Sequence, residues 1–252
     1  MRSVATVLSV VPLLLASLGV SPLAAAQREA EPTAPLVLAA EGDPTPSPDP
    51  TPTPKPTPWP TPKGVKGLDV SHWNGSPNFE DLYDEGMRFV FSKASQGTSF
   101  VDDKYKRNTN AARTAGLVVG AYHFFDYTVG GKAQALHFLD TVERLSGLGW
   151  LMPLVVDIET SKSLGTPNKS KAKSRLHAML DKLYSLSGRY PMIYTSRYMW
   201  EQVVGGPTGF GQYPLWVACW ECDRVPLPRG WSEWDFWQVG QCKFKDGTKL
   251  DG

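Results

Sequence analysis

The sequence is short of several things, and each shortage excludes something. Only three of its 252 residues are cysteine: Cys219, Cys222 and Cys242. Cys219 and Cys222 have the spacing of half a zinc site, but no second ligand pair accompanies them. One disulfide with one leftover thiol is the simple expectation, and Cys222–Cys242 or Cys219–Cys242 would staple late loops together. Net charge is scarce too. The formal balance is +1, which gives no electrostatic footprint for nucleic acid. No Gly-rich phosphate turn follows the first strand-like segment. After residue 23, no apolar run is long enough to span a bilayer.

The first 26 residues read as a secretory signal. Arg2 supplies the positive start, Val7 to Leu23 is apolar, and Ala24-Ala25-Ala26 offers a small-residue cleavage site. Pro12, Ser17 and Pro22 interrupt the apolar stretch and no stop-transfer pattern follows, which weighs against a membrane anchor. Residues 27–63 read as a linker. Every even position from Pro44 to Pro62 is proline, so this run adopts extended polyproline II and acts as a semi-rigid spacer.

The remaining 64–252 is long enough to bury a large core. Strand-like and helix-like segments alternate through it. The strands are read at 65–70, 88–94, 117–125, 154–159, 191–195, 214–218 and 235–239. The helices are read at 79–86, 103–115, 131–145, 169–186 and 198–203. A further strand at 249–251 is read at the end of the chain. Alternation of this kind predicts parallel strands joined by right-handed crossovers. The expected fold is α/β, a single small β/α (TIM-like) barrel rather than an open doubly wound sheet. At this length, some barrel helices must be short or missing.

The segment that carries chemistry is Leu154-Val155-Val156-Asp157-Ile158-Glu159-Thr160. Residues two apart on a strand share a face, so Asp157 and Glu159 point the same way. Two buried neighbouring acids repel, which raises at least one pKa and lets one hold a proton near neutral pH. The same heptapeptide also fits a strand-capping Asp157 followed by a solvated Glu159. Other strand ends shift that balance. Asp69, Tyr122, His123, Tyr194, Trp216, Trp237 and Gln238 all fall where a parallel barrel places its active-site rim. For Tyr122, Trp216 and Trp237, core packing competes with a role as sugar platforms. His72 and His123 read as hydrogen-bonded structural groups, and Lys169, Lys171 and Lys173 as a solvated helix face.

Seven motifs together resemble those of family 25 glycoside hydrolases, the Chalaropsis-type lysozymes. They are Gly67-Leu68-Asp69-Val70-Ser71-His72-Trp73, Phe89-Val90-Phe91-Ser92-Lys93-Ala94, Gly120-Ala121-Tyr122-His123-Phe124, Asp157-Ile158-Glu159, Ile193-Tyr194-Thr195, Pro214-Leu215-Trp216-Val217-Ala218 and Phe236-Trp237-Gln238. The resemblance implies a flattened β/α barrel in a secreted, monomeric, cofactor-free and metal-free N-acetylmuramidase acting on bacterial peptidoglycan. It implies Glu159 as general acid, Asp157 as its partner and Asp69 as the family's first-strand carboxylate, a catalytic set in which Asp157 and Asp69, when ionised, stabilise positive charge on the sugar. Tyr122 and Tyr194 look like groove residues near the cleaved sugar, and Asp251 is similar to an acid near the family's C-terminus. Trp216, Trp237 and Gln238 complete the expected substrate-binding set.

The resemblance departs at two places. Many relatives carry Glu where this chain has Gln96, which can act as neither acid nor base. Relatives also continue with a closing strand beyond the position of Gly252, so the last barrel strand is expected to be almost missing here. These departures keep open a non-catalytic glycan-binding module on the same scaffold. A chitinase-like barrel would place an acid at position 155, which is Val155. A wall amidase or peptidase would need a zinc site or a Cys/His pair, and neither is assembled.

Overall fold

A computed structural model of the chain describes residues 64–147, 152–220, 222–243 and 249–252. The expected signal and spacer, residues 1–63, lie outside the described residues.

The elements follow one another as β1 (Lys66–Val70), α1 (Phe79–Asp84), β2 (Met87–Gln96), β3 (Phe100–Val101), α2 (Tyr105–Thr114), β4 (Val118–Phe124), α3 (Gly131–Ser146), β5 (Val155–Asp157), α4 (Lys169–Ser187), β6 (Met192–Thr195), α5 (Arg197–Val204), β7 (Leu215–Ala218), β8 (Phe236–Gln238), β9 (Gln241–Lys243) and β10 (Lys249–Asp251). Local chemistry marks several boundaries. The Asn78 side chain accepts from the Glu80 amide at the start of α1, and Asn168 accepts from the Lys171 amide at the start of α4. Ser196 does the same for Met199 in α5. Gly188 ends α4 at φ 68°, in the left-handed region that favours glycine.

The sheet order is β8-β7-β6-β5-β4-β2-β1-β10-β9, with β3 folded back on β2. From β1 through β8 the main strands pair in parallel, each beside its predecessor. A doubly wound sheet would reverse direction partway; this one does not, so it curls into a barrel. No helix separates β7 from β8 among the described residues.

Lys249–Asp251 is not a missing strand. It forms β10, antiparallel to both β1 and β9, with Asp251 opposite Asp69. The seam beside β8 is bridged by backbone bonds. Val239 and Gly240 donate to the Gly252 carbonyl at 2.7 and 3.2 Å, and Gly252 donates back to Gly240 at 2.8 Å. The barrel is thus nearly closed.

Side-chain alternation sorts the strands into two packed layers. Val90, Val119, Ala121, Val156, Ile158, Ile193 and Val217 face outward into the core shared with the helices. Phe91, Val155, Met192, Tyr194, Trp216 and Phe236 face inward and fill the barrel. The interior is aromatic. Phe91 stacks on Trp216 with centroids 4.7 Å apart, and Phe236 meets both Phe89 and Phe91 edge-on. Gly120 permits this, because a Cβ there would run into the Phe91 ring.

Candidate active site

The inward-facing positions at the C-terminal ends of the strands converge on one groove of about 420 Å³. Asp69, Tyr122, Asp157, Glu159, Tyr194, Trp216, Gln238 and Asp251 all line it. Of the strand-end residues expected at the rim, Trp237 and His123 are absent from the lining, and Trp237 is the one expected to bind substrate. It sits between Phe236 and Gln238, so the strand's two-residue period turns it outward against the helix-side core. There it donates its indole N–H to the Cys219 carbonyl at 2.8 Å. Trp216 lines the groove but is 6% exposed, a floor residue stacked on Phe91.

Regular strand β5 ends at Asp157, two residues short of Glu159. The extended ladder nonetheless continues: Phe125 donates to the Asp157 carbonyl and Ile158 donates to the Tyr194 carbonyl, both at 2.9 Å. Ile158 is therefore buried outward while Asp157 and Glu159 share the groove side.

On the opposite wall, Gln238 joins three elements through its side chain. Its Nε2 donates to Asp69 Oδ2, and its Oε1 accepts from Tyr194 Oη and from Trp220 Nε1, each at 2.8 Å. Asp69 and Gln238 are 169 residues apart in the chain, and only barrel closure brings them together.

Lys93 joins the site without any site motif of its own in the sequence. It projects from β2 into the same groove and is 7% exposed. Its Nζ donates to Gln96 Oε1 at 3.1 Å and lies 5.0 and 5.5 Å from the Phe124 and Phe100 ring centroids. The clue was present in the sequence: a lone lysine inside an apolar strand, on the face of Phe89 and Phe91.

Burial governs the titration of this cluster. It pushes the Asp69 carboxyl up to about 8; the Gln238 amide opposes this, while Asp251 and Glu159 add to it. Asp157 is held well above the ordinary carboxylate range by burial, then by the negative charge of Glu159, with Lys93 pulling the other way. Glu159 is raised by burial, opposed by Lys93 and reinforced by Asp251. Burial likewise keeps Tyr122 and Tyr194 as neutral phenols.

His123 lies outside the groove. It is fully buried between Ser95 and Gln134, at 2.8 and 3.2 Å, and burial pushes its pKa down to about 3. It is a structural histidine. His72 is paired with Asp102 at 2.7 Å.

These shifts set opposite limbs of stability against pH. The folded pKa of His123 lies below its ordinary 6.5, so its contribution is present above that value and is lost as pH falls toward 3. The folded pKa of Asp69 lies above its ordinary 3.8, so its contribution is present at low pH and is lost as pH rises through about 8. Asp69→Asn is expected to remove the decline that Asp69 contributes between about pH 4 and pH 8, so that Tm gains on the parent across that window and stays higher above it. Calorimetry from pH 4 to pH 10 checks this; a parental slope between pH 4 and pH 8 would show that Asp69 titrates normally.

The disulfide differs from both expected pairings. Cys219, just after β7, is bonded to Cys222, with Cα atoms 5.8 Å apart. Proximity in the chain favours this short loop over a bond to Cys242, which lies in β9 beside β10. Trp220, between the two cysteines, also lines the groove, and no motif in the sequence marks it.

The architecture is a nearly closed β/α barrel with a mouth lined by acids and rings. The profile described as "Glycosyl hydrolases family 25" matches residues 68–247, and the chain belongs to that family. Lysozyme M1 of Streptomyces globisporus is 35% identical over 188 residues, covering 69% of this chain. The match spans only 61% of that relative's own length. The N,O-diacetylmuramidase of a Chalaropsis species is 32% identical over 183 residues, covering 69% of this chain and 87% of its own. Among solved structures, the lysozyme of Streptomyces coelicolor superposes with a TM-score of 0.66 at 31% identity, covering 76% of this chain and 91% of its own. The family 25 lysozyme of Aspergillus fumigatus gives a TM-score of 0.66 at 31% identity, covering 74% and 92%.

Proposed function

We propose that the chain is a secreted N-acetylmuramidase that hydrolyses the β-1,4 bond between N-acetylmuramic acid and N-acetylglucosamine in peptidoglycan. One observation carries the reading: Asp69, Asp157, Glu159 and Asp251 share a single groove at the C-terminal mouth of the barrel. Glycoside cleavage develops negative charge on the leaving oxygen and positive charge on the sugar ring. Glu159, its pKa raised by burial, keeps a proton to give to that oxygen. Asp157, once ionised, stabilises the positive ring or steers the substrate's 2-acetamido group toward it. Asp69, held by Gln238, shapes the opposite wall. Membership of a glycoside hydrolase family, with relatives named lysozyme and muramidase, supports the substrate class. The signal-like first 26 residues support secretion to where wall polymer is found.

Mass analysis of peptidoglycan fragments tests the bond. New reducing ends on N-acetylmuramic acid are expected. Reducing ends on N-acetylglucosamine, or intact strands beside cleaved peptides, would overturn it.

A further inference from the structure

The turn between the two bonded cysteines carries more than a staple. Trp220 lies within it, 50% exposed on the groove's lip, with its indole N–H given to Gln238 Oε1. The turn is fixed to β8 twice more. The Cys219 amide donates to the Gln238 carbonyl at 3.1 Å, and Trp237 Nε1 donates to the Cys219 carbonyl. A large ring on a short closed loop has little freedom left to lose on binding. Its nitrogen edge is satisfied internally while half of its surface stays open. That is the arrangement expected of an amphipathic ring that offers a face to a ligand.

We infer that Trp220, clamped by Cys219–Cys222, is a substrate-positioning residue: its open face stacks on a pyranose ring of the glycan, and its N–H fixes the Gln238 amide that holds Asp69. The inference rests on the glycan-cleaving reading above. It separates two contributions of one side chain. The ring face supplies binding, felt in KM. The N–H sets the orientation of Gln238, felt in kcat, because Gln238 shares the same oxygen with Tyr194. If the indole is lost, Tyr194 alone holds the Gln238 oxygen, and the amide that reaches Asp69 is less firmly oriented.

Three variants test this on soluble peptidoglycan fragments. Trp220→Ala is expected to raise KM about tenfold, the size of a single aromatic contact. Trp220→Phe keeps a ring but no donor, so KM is expected to stay within about twofold while kcat falls about threefold. Cys219→Ser with Cys222→Ser is expected to raise KM about threefold by freeing the turn. An unmoved KM in Trp220→Ala overturns the stacking role. A parental kcat in Trp220→Phe overturns the tie to Gln238, and a parental KM in the double variant overturns the clamp. Retention on insoluble peptidoglycan reads the ring without turnover. Loss of retention in Trp220→Ala, on a chain whose parent cuts nothing, sinks the enzymatic reading and leaves the stacking platform standing. Equal retention of Trp220→Ala and parent overturns the platform whatever the turnover.

Discussion

Glu159→Gln is expected to lower wall lysis by about 10²- to 10⁴-fold while leaving retention on insoluble peptidoglycan near that of the parent. The substitution keeps the shape of the side chain and removes the transferable proton. Its two charged neighbours respond in opposite senses: whenever Glu159 is ionised its charge raises the pKa of Asp157 and supports the Lys93 ammonium, so a neutral amide relieves the first and deprives the second. The melting temperature is therefore expected to stay near that of the parent. Turbidity clearing, sedimentation binding and a melting curve on one preparation make the comparison. Residual lysis above a tenth of the parent rate would show that another group supplies the proton. Loss of binding together with lysis would make the carboxylate a ligand-holding group.

The second large effect concerns a cation. Lys93→Met is expected to reduce lysis on the order of 10²-fold at neutral pH. The ammonium is buried, and burial lowers its pKa, so the folded protein bears a cost for holding the charge. Asp157, Asp102 and Glu159 oppose that shift, in that order. Asp102 already bonds the His72 ring and amide, which leaves Asp157 and Glu159 as the groups whose titration Lys93 most alters in the groove. Both have their pKa lowered by it. Without it both rise further, and Asp157 stays protonated at pH values where the parent has ionised it. What lysis remains should show an optimum displaced to more alkaline pH, because an acid and a base whose pKa values rise together carry the whole profile upward. A displacement toward acid, or none, would remove Lys93 from the electrostatics of the groove.

Much of this arrangement is legible in the sequence, for a physical reason. Strands of a parallel barrel alternate strictly, so an apolar run that ends in acid-apolar-acid fixes the facing of Asp157, Ile158 and Glu159 at once. The same rule, applied to Phe236-Trp237-Gln238, turns Trp237 away from the groove once Gln238 is placed in it. Convergence of aromatic residue types alone does not reveal this. Lys93 was hidden because a single lysine among Phe89, Phe91 and Ala94 gives no motif of its own; its meaning depends on which strands stand opposite. Trp220 and the Cys219–Cys222 bond depended on the path of a turn, which alternation does not specify. The Gln238 network depended on closure of the barrel, a fact of topology rather than of any local stretch.

That closure has a consequence for assembly. Asp69 lies on the first strand and Asp251 on the tenth, and they face each other across the one antiparallel junction β1 makes. Strands so distant in sequence meet only after the intervening loops have been drawn in, the slowest kind of contact to form. The cleft's wall and the final seam are thus a single event. A chain still lacking that junction would carry its acids on separate, unopposed edges and have no furrow to receive a polymer.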